Sequence, residues 1–334
     1  MPNRTIRLSS AEIGNTWQFY IQATLSKCLL KYFIHHQKDE EILRILQKKL
    51  SFTEENIIQI ESLYSKENLP IPDGFSDQDI NFDAPPLFYD EYALSFVYSM
   101  SRMNMINRAF LISNTARFDV LKIFTTSMDQ SVEIYTESTS LMLSKGIYDR
   151  PPMIPYPKEV KYIEKKSFLL PLPEQKRPLN TLELTQLFFN IERNYFAIIL
   201  CLGLQQVVKD KEIKKYIDKG REISESQIKV FNDILIKEDL LGMSSVSMLV
   251  TDSTVSPFSD KFVVALFHFL NSIDIAMLGQ GLASSMRVDL ATQFSKFMDE
   301  IMLYSKDGFN IMVERGWLEK PPMAPNRKEL EGHN

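Results

Sequence analysis

The chain has 334 residues, 44% of them hydrophobic, with a net charge of −5 and only 11 glycines. This is enough for about two domains with real cores, and scarce glycine beside plentiful Leu, Ile, Met, Lys and Glu favours helices. The dispersed acidic balance argues against a general nucleic-acid binder, which would carry a basic face.

No apolar run approaches the ~20 residues of a membrane span, and Met1–Arg7 lacks the apolar core of a signal peptide. Cys28 and Cys201 fall inside apolar helical patterns at non-equivalent places. Two buried, unlinked thiols and a cytoplasmic setting are therefore expected.

The first helical pattern opens at Leu8-Ser9-Ser10-Ala11-Glu12-Ile13, where Ser9 and Glu12 have capping-box spacing. Ile13, Trp17, Tyr20, Thr24, Cys28 and Tyr32 then recur at helical spacing. A polar break at Lys38-Asp39-Glu40-Glu41 is too short for anything but an antiparallel second helix, which runs to about Glu67. Asn68 to Pro85 is irregular. A helix of ~28 residues is ~42 Å long, and ~17 extended residues reach ~55 Å, so this segment can travel the length of a bundle. A third helix is predicted near Pro86, with proline at its first position, and a fourth after Arg117-Phe118-Asp119, with Asp119 as its cap. The phrase Gly146-Ile147-Tyr148-Asp149-Arg150-Pro151-Pro152 closes it.

Everything then repeats at an offset of 170 or 171 residues. Asn180 and Glu183 replace Ser9 and Glu12, and Lys209-Asp210-Lys211-Glu212 is the second break. Asp239 to Ser256 is the second irregular segment. Pro257 and Asp289 are the matching predicted helix-start residues, and Gly316-Trp317-Leu318-Glu319-Lys320-Pro321-Pro322 is the second stop. The predicted fold is all-α: two tandem four-helix ferritin-like bundles, each with a long crossover between its second and third helices. The expected division is residues 1–155 and 179–325 for the bundles, a proline-rich linker at 156–178 pinned by Phe168, Leu169 and Leu170, and a frayed tail at 326–334.

The twofold Leu-x-x-x-Glu-Ile/Leu openings, Arg-x-Asp turns and Gly-x-x-x-Arg/Lys-Pro-Pro tails resemble an uncharacterised family of endospore-forming bacteria. So do Thr251-Asp252-Ser253-Thr254 and Ser256-Pro257-Phe258-Ser259-Asp260. That family is a domain of unknown function, and its members are tandem ferritin-like bundles distantly similar to spore coat protein F. The resemblance spans roughly residues 8 to 326 and implies the fold and a spore-associated setting, with no established activity. The family pattern has His in the second helix, where this chain has Asn56 and Gln227.

A ferritin-like bundle raises the question of a dinuclear iron or manganese centre, which draws a Glu-x-x-His from each of two helices. None exists: Tyr32, Phe33, Ala265 and Leu330 stand three residues before His35, His36, His268 and His333. An irregular site would have to use Glu192, His268, Asp274, Asp299 and Glu300; the plainer reading of these five is paired or solvated helix polar groups. Glu12 and Glu183 recur, and capping explains them. Gly279-Gln280-Gly281 lacks the third glycine and the preceding strand of a dinucleotide fingerprint.

No catalytic residue, cofactor or transition metal is therefore predicted. The expected role is a non-catalytic structural or interaction protein. The alternatives are a metal-dependent oxidoreductase, or a bundle core holding an apolar ligand among 22 Phe and 15 Met. Phe262 to Met286 is apolar almost all round, so this helix should be covered by the first repeat or by a second subunit or protein partner.

Overall fold

The computed structural model describes residues 6–169, 177–244 and 248–331. The first repeat comprises α1 (Ser10–His36), α2 (Glu40–Glu67), α3 (Asp90–Ser113) and α4 (Phe118–Ser144). The second comprises α5 (Thr181–Val207), α6 (Lys211–Ile236), α7 (Asp260–Ser284) and α8 (Val288–Glu314). Each repeat is a four-helix bundle made of two helical hairpins, and no strand occurs among the described residues. The expected tail carries a short helix, α9 (Arg327–Glu331), while Leu170 and His333 lie outside the described residues.

Local chemistry sets the helix ends. Ser9 with Glu12 and Asn180 with Glu183 form reciprocal capping boxes, so two orphan N–H groups are satisfied at each start. Gly146 and Gly316 take φ of 69° and 66°, the left-handed turn that ends α4 and α8. Two expectations fail. The third helices start at Asp90 and Asp260, after Tyr89 and Ser259, because Pro86 and Pro257 belong to the crossovers. The caps of α4 and α8 are Arg117 and Arg287, and Asp119 and Asp289 lie two residues further on, turned back onto those arginines.

The two crossovers pair with each other. Ile80 bridges Phe258 and Phe88 bridges Val250, both antiparallel. The Asn81 N–H donates to Pro257 O at 2.9 Å, and its counterpart Thr251 N–H donates to Leu87 O at 3.0 Å. Tyr89 N–H to Leu249 O and Ser259 N–H to Asp79 O are a second matched pair, at 3.1 and 3.0 Å. Every bond has its mate at the repeat offset, so the repeats are related as in an isologous dimer, with a pseudo-twofold through the paired crossovers. Pairing also satisfies backbone groups that a buried irregular segment would leave unmet.

Side chains seal the junction. Phe75 of the first crossover meets Phe262 of α7, and Tyr92 of α3 stacks on Phe196 of α5 with centroids 5.0 Å apart. Asp73 and Gly74 donate their N–H groups to Glu319 in the second tail phrase. One hydrophobic core runs through both repeats, from Leu25 to Met312, and a separate cluster around Phe19, Ile60 and Phe124 fills the far end of the first bundle.

The apolar first half of α7 is shared between the repeats: Phe262 meets Phe75, and Leu266 and Phe269 reach the cavity of the first bundle, while Phe267 packs on Tyr216 of its own bundle. Gly281 admits the ring of Phe294, so the helix that uses this small residue is α8. By length and composition α5 and α7 do enter the range of membrane spans, contrary to the sequence reading; here both are bundle helices.

Candidate functional site

The recurring charged motifs close the bundle ends. Glu12 accepts the N–H groups of Ala116 and Arg117, so the start of α1 is tied to the α3–α4 turn. Glu183 does the same with Met286 and Arg287, and also takes the Arg177 guanidinium at 2.7 and 2.8 Å. Capping alone therefore does not explain these residues. Burial by itself would raise both carboxyls, but the donors outweigh it and both stay below the ordinary value.

Each cap arginine pairs with the acid of its own Arg-x-Asp turn and with an acid at the close of the second helix: Arg117 with Asp119 and with Glu67, the last residue of α2, and Arg287 with Asp289 and with Glu238, two residues past α6. At the opposite end Lys145 holds Asp39 and Glu41, and Arg315 holds Asp210 and Glu212.

Midway along the first bundle the apolar pattern breaks. Lys49, Thr53 and Asn56 of α2, Arg108 of α3, and Ser127, Gln130 and Ser131 of α4 are all buried. This layer separates the two hydrophobic clusters. Asn56 donates to Gln130, which donates to Glu55; Arg108 donates to Ser127 at 3.0 Å and lies 4.2 Å over the Phe19 ring. Burial pushes Lys49 down to about 8 and Arg108 down to about 9. A cavity of about 40 Å³ sits here, walled in part by Lys49, Thr53, Asn56, Arg108 and Ser127 with Leu266 and Phe269 of α7.

The same level of the second bundle is built differently. Arg193 is ion-paired with Asp274 and donates to Gln227, which also accepts from Asn194. Gly220 stands where α2 has Lys49, and its missing Cβ makes room for the Tyr304 hydroxyl. This level also has a cavity of about 40 Å³, lined partly by Arg102 and Met103 of α3.

The five sequence candidates for a metal do not converge. Glu192 faces the first repeat, where Arg102 holds it at 2.8 Å; burial raises its carboxyl against that pull. Asp274 is taken by Arg193. His268 packs on Phe309, and burial holds its imidazole below the ordinary value. Asp299 is exposed and Glu300 half-buried on α8. Among the described residues no three His, Cys, Asp or Glu side chains are grouped so as to hold a metal ion. Both cysteines are free and buried, and burial pushes both thiols well above their usual range, which makes them unreactive.

The Lys49–Arg108 layer escaped the sequence reading. Its one signal is the polar run Lys49, Thr53, Asn56 at the helical spacing of a core face.

Among solved structures, one described as a "putative spore coat protein" from Bacillus halodurans C-125 is similar at 17% identity, with a TM-score of 0.40, covering 45% of this chain and 98% of that one. A comparison with curated proteins gives no match. The family model described as "Protein of unknown function (DUF3231)" matches twice, over residues 1–160 and 167–330. The chain belongs to that family and carries its domain in tandem.

Proposed function

We propose that this chain is a non-catalytic structural or interaction protein. One observation carries the reading: the carboxylates that could do chemistry are already engaged. Glu192 and Asp274 are held by arginines from neighbouring helices, and Glu12 and Glu183 gather main-chain N–H groups. Any of the four would have to surrender charge-assisted bonds before binding a metal or moving a proton. The two central cavities, about 40 Å³ each, are far below the several hundred Å³ of a site for an apolar ligand.

An interaction role draws on the outer helices. Phe118, Val132 and Leu143 of α4 are exposed apolar residues, and so are their equivalents Val288, Met302 and Val313 of α8. The pseudo-twofold thus displays one surface pattern twice, which suits assembly with further copies of the chain. The proposed setting is cytoplasmic, drawn from the two unlinked cysteines, and spore-associated, drawn from the motif resemblance.

Metal analysis of untagged protein from iron- and manganese-supplemented growth tests the non-catalytic half. The expected result is a transition-metal content well below one ion per chain. One or more tightly held ions, lost in Glu192→Gln or His268→Ala, would move the chain to the oxidoreductases.

A further inference from the structure

Buried in the polar layer of the first bundle are two cations and no anion; Glu55, which accepts from Gln130, is exposed. Lys49 is 9% exposed and Arg108 is 6% exposed, and both line the same cavity. The cavity wall has no Asp or Glu: its other polar members are Gln22, Ser26, Thr53, Asn56, Asn104 and Ser127. The Lys49 ammonium has neither an ion pair nor a hydrogen bond among the described residues, while its neighbour Lys48 is paired with Glu133 and Glu137. Arg108 has only neutral partners, Ser127, Asn107 and the face of Phe19. Even with burial lowering them to about 8 and about 9, both groups hold their protons at neutral pH. An unpaired buried charge is among the most unfavourable things a core can contain, and here two like charges share one cavity.

The second repeat supplies the control. At the equivalent level Gly220 replaces Lys49 and Leu278 replaces Arg108, which removes both cations. The cations on that cavity's wall, Arg193 and Arg102, each have a carboxylate, in Asp274 and Glu192; the positions equivalent to Arg193 and Asp274 in the first repeat are Gln22 and Asn104, both neutral. One bundle therefore neutralises its central charge internally, and the other leaves two positive charges around a space.

We propose that the cavity between α1, α2, α3 and α7 is a binding site for a small monovalent inorganic anion, held by the Lys49 ammonium and the Arg108 guanidinium. The volume of about 40 Å³ fits a halide- or nitrate-sized ion with one water, and is too small for a nucleotide or a lipid headgroup. Asn56 Oδ1 is buried without a donor. A water donating one hydrogen to that oxygen and the other to the anion would satisfy both. Gln22, Ser26 and Asn104 on the same wall are half-buried, so that side of the cavity lies nearest solvent. The bound ion would weld the two hydrophobic clusters of the first bundle, so the site acts as a stabilising ion site and goes beyond the structural role proposed above.

The test uses the full chain in sodium gluconate, whose anion is too large to enter, against sodium chloride at equal ionic strength. Exchanging about 100 mM gluconate for chloride should raise Tm by roughly 2–4 °C, saturably, and Lys49→Met and Arg108→Met should abolish the rise. Equal Tm in the two salts, or a rise that survives in both variants, overturns the proposal. Should the variants fail to fold, wild-type crystals grown in bromide decide: an anomalous peak between Lys49 Nζ and the Arg108 guanidinium supports the site, and a cavity without one refutes it.

Discussion

Gly203 lies against the ring of Phe88, so closely that a Cβ on the glycine would stand 2.6 Å from Phe88 Cε1. The mirror contact is made by Tyr32 and Phe258, whose ring centroids are 4.8 Å apart, because Tyr32 occupies the Gly203 position in α1. One repeat offers a ring to the other's crossover, and the other offers a gap. Gly203→Val should therefore force the first crossover off α5 and destabilise the whole chain by about 1–3 kcal/mol. Urea denaturation checks this. A variant with wild-type stability would show that the crossover is not clamped there.

Glu12 and Glu183 should be far more important than ordinary caps. Gln keeps one of the two acceptor oxygens and turns an NH2 toward N–H donors. Either the cap N–H or the N–H groups of the turn between the third and fourth helices then lose their acceptor, and in the second repeat Arg177 loses its anion. Glu183→Gln should cost about 2–4 kcal/mol, and Glu12→Gln about 1–3 kcal/mol.

Both carboxyls have folded values below the ordinary 4.5, so their contribution is fully present above that pH and is lost as pH falls through the folded value. Denaturation between pH 7 and pH 3 should show a shallower acid loss in each variant than in the wild type. Parallel curves would remove these residues from the account.

Lys49 predicts a slope of the same sign, at high pH. Its folded value is about 8, against an ordinary 10.5, because burial and the neighbouring Arg108 disfavour the charged form. Between those two values the unfolded chain binds the proton and the folded chain does not, so stability should rise with pH through that window. Arg108, the other charged group on the cavity wall, is shifted downward too and contributes with the same sign. In gluconate at pH 7, Lys49→Met should be more stable than wild type by about 1–3 kcal/mol and should lose most of the alkaline rise. A destabilised variant would mean that the ammonium has a favourable partner.

The sequence makes local things legible. The Ser9–Glu12 and Asn180–Glu183 spacings announce helix starts, Gly146 and Gly316 announce ends, and the length of the irregular segments announces crossovers, because each depends on neighbouring residues alone. What the crossovers touch is a different matter. Ile80 and Phe258 are far apart in the chain, and nothing in either segment names its partner. Arg117 and Arg287 escaped as caps because a guanidinium cannot accept the N–H bond that a capping side chain takes; their role is to grip Glu67 and Glu238. Lys48 and Lys49 read alike as neighbours in a charged run. The 100° turn between them puts one on the surface with Glu133 and Glu137, and the other inside.

The central claim is that the two repeats form a single body through their paired crossovers and shared core. The chain carries its own reporters, since Trp17 lies in the first repeat, packed on the Phe19–Phe124 cluster, and Trp317 lies beyond α8, packed on the shared core. Trp17→Phe and Trp317→Phe leave one fluorophore each. Urea unfolding followed by the remaining tryptophan should give the same slope in both variants, and the same midpoint once each is corrected for its own change in global stability by circular dichroism. Two separated transitions, one for each reporter, would show bundles that fold independently and would contradict the account.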